Sequence, residues 1–392
     1  MITTSEAFHS IEKNLKRLPV ITIPLMEATG YIVAEDVYAA VDMPPFAQSA
    51  MDGYAFSYND WDGVSPLQVV GEVAAGQWFQ QTLKANQAVR IFTGAALPAT
   101  TDTVVMQEKV EVSNDQLLIQ DDNLKAGANV RPQASQTRSG ELVVSNGVSI
   151  NAGVAGFLAT LGIAEIQVYT RPRIKILVTG SELIAPGRKL EKGSVYESNS
   201  FALFAALKEF YIDAAVVHCN DNCDEIAMAI RQSMEEADLL LITGGISVGD
   251  YDFVLPALKS CAAEIHFHKV KQKPAKPLAF ATGKSKPIFA LPGNPASVLT
   301  CFYVYVLPAI QWMQGHDQAF RNKQQSKLTA PVQKKSGLTH FLKARIENGS
   351  VTPLTGQESY RMDAFVQANA FIRLEEEITQ LQAGEYVEVI PF

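Results

Sequence analysis

Hydrophobic and polar positions follow three different rhythms along the chain. Near the N-terminus Phe8, Ile11 and Leu15 recur at helical spacing and predict a helix over residues 5–18. From about 20 to 150 the texture changes to short apolar runs broken by turn residues. "LQVVGEVAAG", "QAVRIFTGAALP", "DTVVMQEKVEV" and "QLLIQ" predict short strands. "PPFAQSAMDGYAF" interrupts them as a loop-like insertion, and "GVSINAGVAGFLATLG" predicts a small-residue helix ending on Gly162. After residue 171 strand-like and helix-like runs take turns. "RIKILVTG", "DAAVVHC", "DLLLITGG", "EIHFHKV", "PLAFATG" and "KPIFALPG" read as strands. "SNSFALFAALKEF", "NCDEIAMAIRQSMEEA", "FVLPALKS" and "PASVLTCFYVYVLPAIQWMQG" read as helices. That alternation predicts a doubly wound, mostly parallel sheet with helices on both faces. From about 319 the chain turns polar and strand-like, with turns at "NGS", "TGQ" and "AGE".

These rhythms define a multidomain α/β chain. An N-terminal helical and linker part is expected at 1–45 with 135–170, and an inserted β-rich domain at 46–134. The α/β domain is expected at 171–318 and a small C-terminal β domain at 319–392. A length of 392 residues agrees, being too long for one ordinary core. With 47% hydrophobic and 19% charged residues, the composition is that of a well-packed globular protein. The net charge of -8 argues weakly against a nucleic-acid or membrane-surface role, although a local basic pocket would survive that average. The N-terminal stretch lacks the apolar core of a signal peptide, and the apolar runs read as strand-sized, so the cytoplasm is the expected compartment. There Cys219, Cys223, Cys261 and Cys301 are expected to be reduced thiols. His266 and His268 share a strand face without an adjacent third ligand, which favours an ordinary sheet position over a metal site.

Candidate chemistry gathers at strand ends. In open α/β sheets ligands sit beyond the carboxyl ends of the strands. Three such ends carry distinctive loops: "VTGSEL" at 178–183, "ITGGISVGDYD" at 242–252 and "ALPGNPAS" at 290–297. Glycines let the backbone approach a ligand, and helix starts offer free N–H groups to an anion. Ser247 and Ser297 could add hydroxyl donors. The bland reading, tight strand-to-helix turns, fits any one loop better than it fits three on one edge. No G-x-x-x-x-G-K-[ST] occurs, and no G-x-G-x-x-G follows the first strand.

Acids share that edge. Glu182, Asp250 and Asp252 would repel a phosphate unless a divalent cation bridged them, as magnesium does with phosphorylated substrates. Asp250 fits a helix N-cap better than it fits a metal ligand. Asp52 stands apart, in "SAMDGYAF" of the β-rich part. Between two later strands "KVKQKPAKPLAF" holds Lys273 and Lys276, either as a solvated basic turn or as a pair aimed into the cleft. Acids, lysines and open helix starts suit a pyrophosphate-bearing polyanion together with a second oxyanion.

"PPFAQSAMDGYAF", "RIFTGAALPATTDTVVMQE", "VTGSEL", "GGISVGDYDF", "KPAKP" and "LPGNPAS" appear in the order of the MoeA/gephyrin E-domain family, the molybdopterin molybdenumtransferases, and the chain resembles that family over essentially its whole length. The resemblance implies a four-domain subunit that forms a homodimer, with 171–318 as the molybdopterin-binding domain. It implies insertion of molybdate into adenylylated molybdopterin, with release of AMP and dependence on Mg2+, after a molybdopterin adenylyltransferase has made the substrate. By the same resemblance Asp52, Glu182 and Asp252 would be catalytic and metal-binding, and Lys273 and Lys276 catalytic. Substrate would be bound by Thr93, Gly94, Arg131, Thr179, Gly180, Gly244, Gly245, Ser247, Gly249, Pro292, Gly293, Asn294, Pro295 and Ser297. Asp102 and Glu108 match acids beyond the threonine–glycine pair.

Two departures from the family pattern bear on activity. Ala275 stands where K-P-G-K-P has glycine, and in "NVRPQASQTRSGE" Ala134 and Gln136 occupy the glycine and aspartate positions, while Arg131 remains. A catalytically weak paralogue, acting as a molybdopterin-binding or scaffold protein, is therefore the alternative reading. A nucleotide pyrophosphatase would leave the β-rich insertion and the C-terminal domain unexplained.

Overall fold

The computed structural model describes residues 1–246, 252–321 and 324–392. The chain forms two compact units: Met1–Ala34 with Gly147–Asn151 and Ile166–Phe392, and Glu35–Asn146 with Ala152–Glu165.

The first unit is built on a six-stranded sheet. Its spatial order is Ala214–Cys219, Ile174–Thr179, Leu239–Thr243, Lys286–Leu291, Ala279–Gly283, Glu264–His268. The first four strands run parallel, and Ala279–Gly283 is antiparallel to both of its neighbours. Successive side chains of a strand point to opposite faces. Thus Ile174, Ile176, Val178, Leu239 and Leu241 enter one core, while Leu177, Leu240 and Ile242 enter the other. Helix Asn199–Glu209 and the long helix Pro295–Met313 cover the first face, and helices Cys223–Glu236 and Val254–Ser260 the second. Leu239–Thr243 is buried at every position, which is why its sequence is an unbroken apolar run.

The N-terminal helix spans Thr4–Asn14, shorter than the periodicity predicts. A capping box between Thr3 and Glu6 fixes its start, and extended backbone at Leu15 ends it. The long helix Pro295–Met313 exceeds the strand-sized apolar runs expected from sequence. Its 19 residues, at a mean hydropathy of 1.4, are long and apolar enough to cross a bilayer, yet 83% of that stretch is buried inside the fold. It is a core helix.

The C-terminal strands Gln324–Leu328, Thr339–Glu347, Ser350–Pro353, Ala370–Leu374 and Tyr386–Pro391 close into a small barrel, because Thr339–Glu347 pairs with both Ser350–Pro353 and Ala370–Leu374. Leu328, Ala344, Val351, Ile372, Leu374, Val387 and Val389 fill it. Gln272–Lys273 joins its edge in parallel, Gln272 opposite Thr339 and Lys273 opposite His340.

The second unit holds a six-stranded sheet ordered Thr103–Met106, Gly53–Phe56, Gln87–Ile91, Leu67–Val73, Gln116–Ile119, Val110–Ser113. The single run "DTVVMQEKVEV" becomes two strands split by a 3-10 turn at Gln107–Lys109. The stretch read as a loop-like insertion contributes strands Gln48–Ser49 and Gly53–Phe56. The small-residue helix is Ala152–Thr160.

Candidate active site

Because Ile174–Thr179, Leu239–Thr243 and Lys286–Leu291 are adjacent and parallel, their carboxyl ends emerge on one edge. The loops that follow surround a cavity of about 610 Å³ lined by Glu182, Gly245, Asp252, Pro292, Gly293, Asn294 and Pro295, among others. A smaller cavity of about 250 Å³ shares Glu182, Gly245, Asp252 and Gly293 with it and adds Thr179, Gly180 and Gly244. The structure therefore brings together most of the residues expected at this edge. Ser247, Gly249 and Asp250 lie outside the described residues.

Close backbone contact explains the glycine pair. Gly244 has φ +90°, and a Cβ there would lie 2.6 Å from the Thr179 carbonyl oxygen, so two loops touch where a side chain would hold them apart. The Thr179 hydroxyl donates to the Thr243 carbonyl at 3.2 Å. Below the loop, His268 Nε2 lies 3.0 Å from the Ile246 carbonyl. A carbonyl only accepts, so Nε2 carries the proton. Burial pushes the His268 imidazole below its ordinary value, opposed first by the hydrogen bond to the Ile246 carbonyl and then by Asp252.

At the third loop no side chain caps the helix that begins at Pro295. The amide of Asn294 is used elsewhere, donating to Ser359 Oγ at 2.9 Å. Ser297 is buried at 2% exposure in the first turn of that helix and lines neither cavity.

The lysines border different space. Lys273 is exposed and lines a cavity of about 740 Å³ shared with the C-terminal barrel, alongside Lys334, Lys335 and His340. Burial, and then the charges of Lys334 and Lys273, push the His340 imidazole down to about 4, so it is neutral at physiological pH. Lys334 is spent on the Leu338 and Glu376 carbonyls, at 2.9 and 3.1 Å. Lys276 is exposed, and its carbonyl accepts from the Val270 N–H at 2.9 Å. Between them Ala275 holds φ +63°, the left-handed backbone that glycine adopts without penalty.

In the second unit Asp52 Oδ1 accepts from both the N–H and the hydroxyl of Thr93, each at 2.8 Å. The N–H and then the hydroxyl hold this carboxyl below its ordinary range. Gly94 donates its N–H to the Ser49 carbonyl at 2.9 Å, and Arg131 pairs with Gln48 on a two-residue strand. Beside Asp52, a Cβ on Gly53 would lie 1.9 Å from the Val105 carbonyl oxygen, so only glycine fits there. Asp102 Oδ1 accepts from the Tyr58 N–H and the Thr103 hydroxyl, at 2.9 and 2.7 Å, a structural use. Ala134 is left-handed too, at φ +56°.

Sequence reasoning missed Asp221, Asn199, Glu197 and Pro277, which also line these cavities. Asp221 accepts from the Ser181 N–H at 2.8 Å. Asn199 donates its amide to the Gly293 carbonyl at 2.9 Å, and Glu197 accepts from the Ser200 N–H at 2.8 Å. Asp221 was findable, since it follows strand Ala214–Cys219 and thus belongs to the same sheet edge. Glu197 and Asn199 were not, because the pairing of Leu183–Ile184 with Val195–Tyr196 brings them back to the edge.

Among the described residues no three His, Cys, Asp or Glu side chains come together as a metal cluster. Glu182 and Asp252 nevertheless line both cavities.

Comparison with known proteins decides what this architecture belongs to. The MoeA N-terminal region (domain I and II) matches residues 2–162, the "Probable molybdopterin binding domain" 175–312, and the MoeA C-terminal region (domain IV) 325–392. The chain belongs to the MoeA family of molybdopterin molybdenumtransferases. It is accordingly an enzyme of molybdenum cofactor biosynthesis. A MoeA-family relative from Haemophilus influenzae, named molybdopterin molybdenumtransferase, is 35% identical over 97% of this chain and 96% of its own length. One from Staphylococcus epidermidis with the same name is 32% identical, covering 99% of this chain and 95% of itself. The crystal structure of a molybdopterin biosynthesis MoeA protein from Pyrococcus horikoshii OT3 superposes with a TM-score of 0.85 at 26% identity, over 100% of both chains. The MoeA assignment thus rests on every part of the chain.

Proposed function

We propose that the enzyme inserts molybdate into adenylylated molybdopterin and releases AMP in a Mg2+-dependent reaction, acting as a homodimer supplied by a molybdopterin adenylyltransferase. The observation that carries this reading is the convergence of three loops on one acid-lined cavity at the sheet edge, Glu182 and Asp252 among them. In this reading the pyrophosphate lies against the backbone of Gly244, Gly245 and Gly293, where no side chain intervenes. Ser247 and Gly249 belong to the same proposed phosphate loop.

Glu182 and Asp252 would hold Mg2+, which when bound neutralises the phosphates and polarises the bond to be cleaved. Water supplies the oxygen that ends on one phosphorus as the phosphoanhydride breaks. AMP leaves, and molybdopterin keeps its own phosphate. Asp52, fixed by Thr93, is the acid we assign to metal or molybdate handling. Lys273 is the charge we assign to the oxyanion, with Lys276 beside it. The exposed ammonium and the neutral His340 next to it give a cavity able to accept an anion without an acid of its own.

The test is AMP release from adenylylated molybdopterin with Mg2+ and low molybdate, repeated with tungstate. Release no faster than without protein, with substrate demonstrably bound, refutes it. The weak-paralogue alternative rests on Ala275, Ala134 and Gln136. Both alanines sit in left-handed backbone, so their cost falls on stability rather than on loop shape.

A further inference from the structure

The loop carrying Lys273 and Lys276 is held from underneath by a buried polar chain. Gln272, 1% exposed, sits inside the loop's base. Its side-chain N–H donates to the Ala275 carbonyl at 3.0 Å, bracing the left-handed residue between the two lysines. Its side-chain oxygen accepts the Tyr305 hydroxyl. Tyr305 is fully buried in the long helix, its ring 5.0 Å from that of Phe8. A buried phenol and a buried amide each demand partners, and here they satisfy one another.

The helix is distorted where Tyr305 sits. Phe302–Val306 forms a π-type turn in which the Leu307 N–H bonds to the Phe302 carbonyl, five residues back. Pro308 accounts for it, since it has no N–H for the Val304 carbonyl and its ring would clash there. A wide turn next to a candidate site is a common functional device. Backbone bonds hold the loop as well. The Val270 N–H bonds the Lys276 carbonyl at 2.9 Å, and the Thr339 N–H bonds the Lys271 carbonyl at 3.0 Å.

We infer that Tyr305 and Gln272 are positioning residues that set the lysine loop for oxyanion binding. Neither reaches the oxyanion itself, because both are buried. Tyr305 fixes the Gln272 amide, the amide fixes the Ala275 carbonyl, and the carbonyl fixes the spacing of the flanking ammonium groups. This inference rests on the reading above that Lys273 grips molybdate.

The test measures AMP release against molybdate concentration for full-length wild type, Tyr305→Phe, Gln272→Leu and Lys273→Met, each also followed by thermal unfolding. Lys273→Met should raise the half-saturating molybdate on the order of ten-fold, and Tyr305→Phe and Gln272→Leu should raise it comparably, these two with kcat at saturating molybdate and affinity for adenylylated molybdopterin unchanged. A merely structural role would lower the unfolding midpoint and leave the molybdate dependence alone, which overturns the inference provided Lys273→Met still shifts it. If Lys273→Met has no effect, the oxyanion reading falls and this inference with it. Should Gln272→Leu fail to fold, Tyr305→Phe decides, since it removes a single oxygen.

Discussion

Two alanines occupy backbone that favours glycine, and they make a paired experiment. Ala134 has φ +56° and is half-buried, whereas Ala275 has φ +63° and is only 5% exposed. Left-handed backbone costs a residue with a Cβ about 1–2 kcal/mol. Replacing alanine by glycine removes that strain but frees the unfolded chain, returning about 0.4–1 kcal/mol. At Ala134 the balance is a gain of about 0.5–1 kcal/mol for Ala134→Gly, worth about 2–4 °C per kcal/mol in a domain of this size. At Ala275 a buried methyl group is also lost, at about 0.8 kcal/mol, so Ala275→Gly should be close to neutral. The Ala134 N–H keeps its bond to the Pro44 carbonyl at 3.0 Å in either case. Differential scanning calorimetry or urea unfolding of both variants measures the pair. A destabilised Ala134→Gly, or an Ala275→Gly that gains more than Ala134→Gly, refutes the reasoning. Activity should follow neither change, since the lysine loop already has its glycine-like shape.

Gly53→Ala should destabilise by about 3 kcal/mol, because its Cβ would meet the Val105 carbonyl oxygen at 1.9 Å; urea unfolding of the full chain checks it. Thr93→Val removes one of the two donors that depress Asp52, so the carboxyl should move up towards its usual range and the acid limb of activity should shift to higher pH. The sign follows from linkage: Asp52 is depressed in the fold, so its contribution is present above its unfolded value of 3.8 and is lost as pH falls through the folded one. His340, at about 4 in the fold against 6.5 unfolded, makes stability rise with pH across that window, and His340→Gln should flatten the rise. In Lys273→Met the His340 titration, followed by NMR, should move upward.

Periodicity made the sheet domain readable. Runs such as Leu239–Thr243 are apolar on both faces only when buried between two layers of helices, and the order of elements then dictates parallel pairing. The same logic brought Glu182, Gly244, Gly245 and Pro292–Pro295 to one edge. Closure of the C-terminal barrel was not legible, because Thr339–Glu347 pairs on both its sides and its sequence alternation is the same for an open or a closed sheet. The edge pairing of Gln272–Lys273 with that barrel was hidden for the same reason, and it is what sets Lys273 against the barrel cavity. Asn199 and Gly293 lie 94 residues apart, and the hydrogen bond between them follows from tertiary packing that no local pattern announces.

In the proposed reaction the acid-lined cavity at the sheet edge binds adenylylated molybdopterin and releases its AMP. The most direct measurement is single-turnover AMP release by wild type and by Asp252→Asn, with Mg2+ and limiting molybdate, alongside the bound fraction of substrate. AMP should form in proportion to wild-type protein, and release should slow on the order of a hundred-fold or more in Asp252→Asn with substrate still bound. Equal release by the two proteins, or none by wild type with its substrate in place, would contradict it.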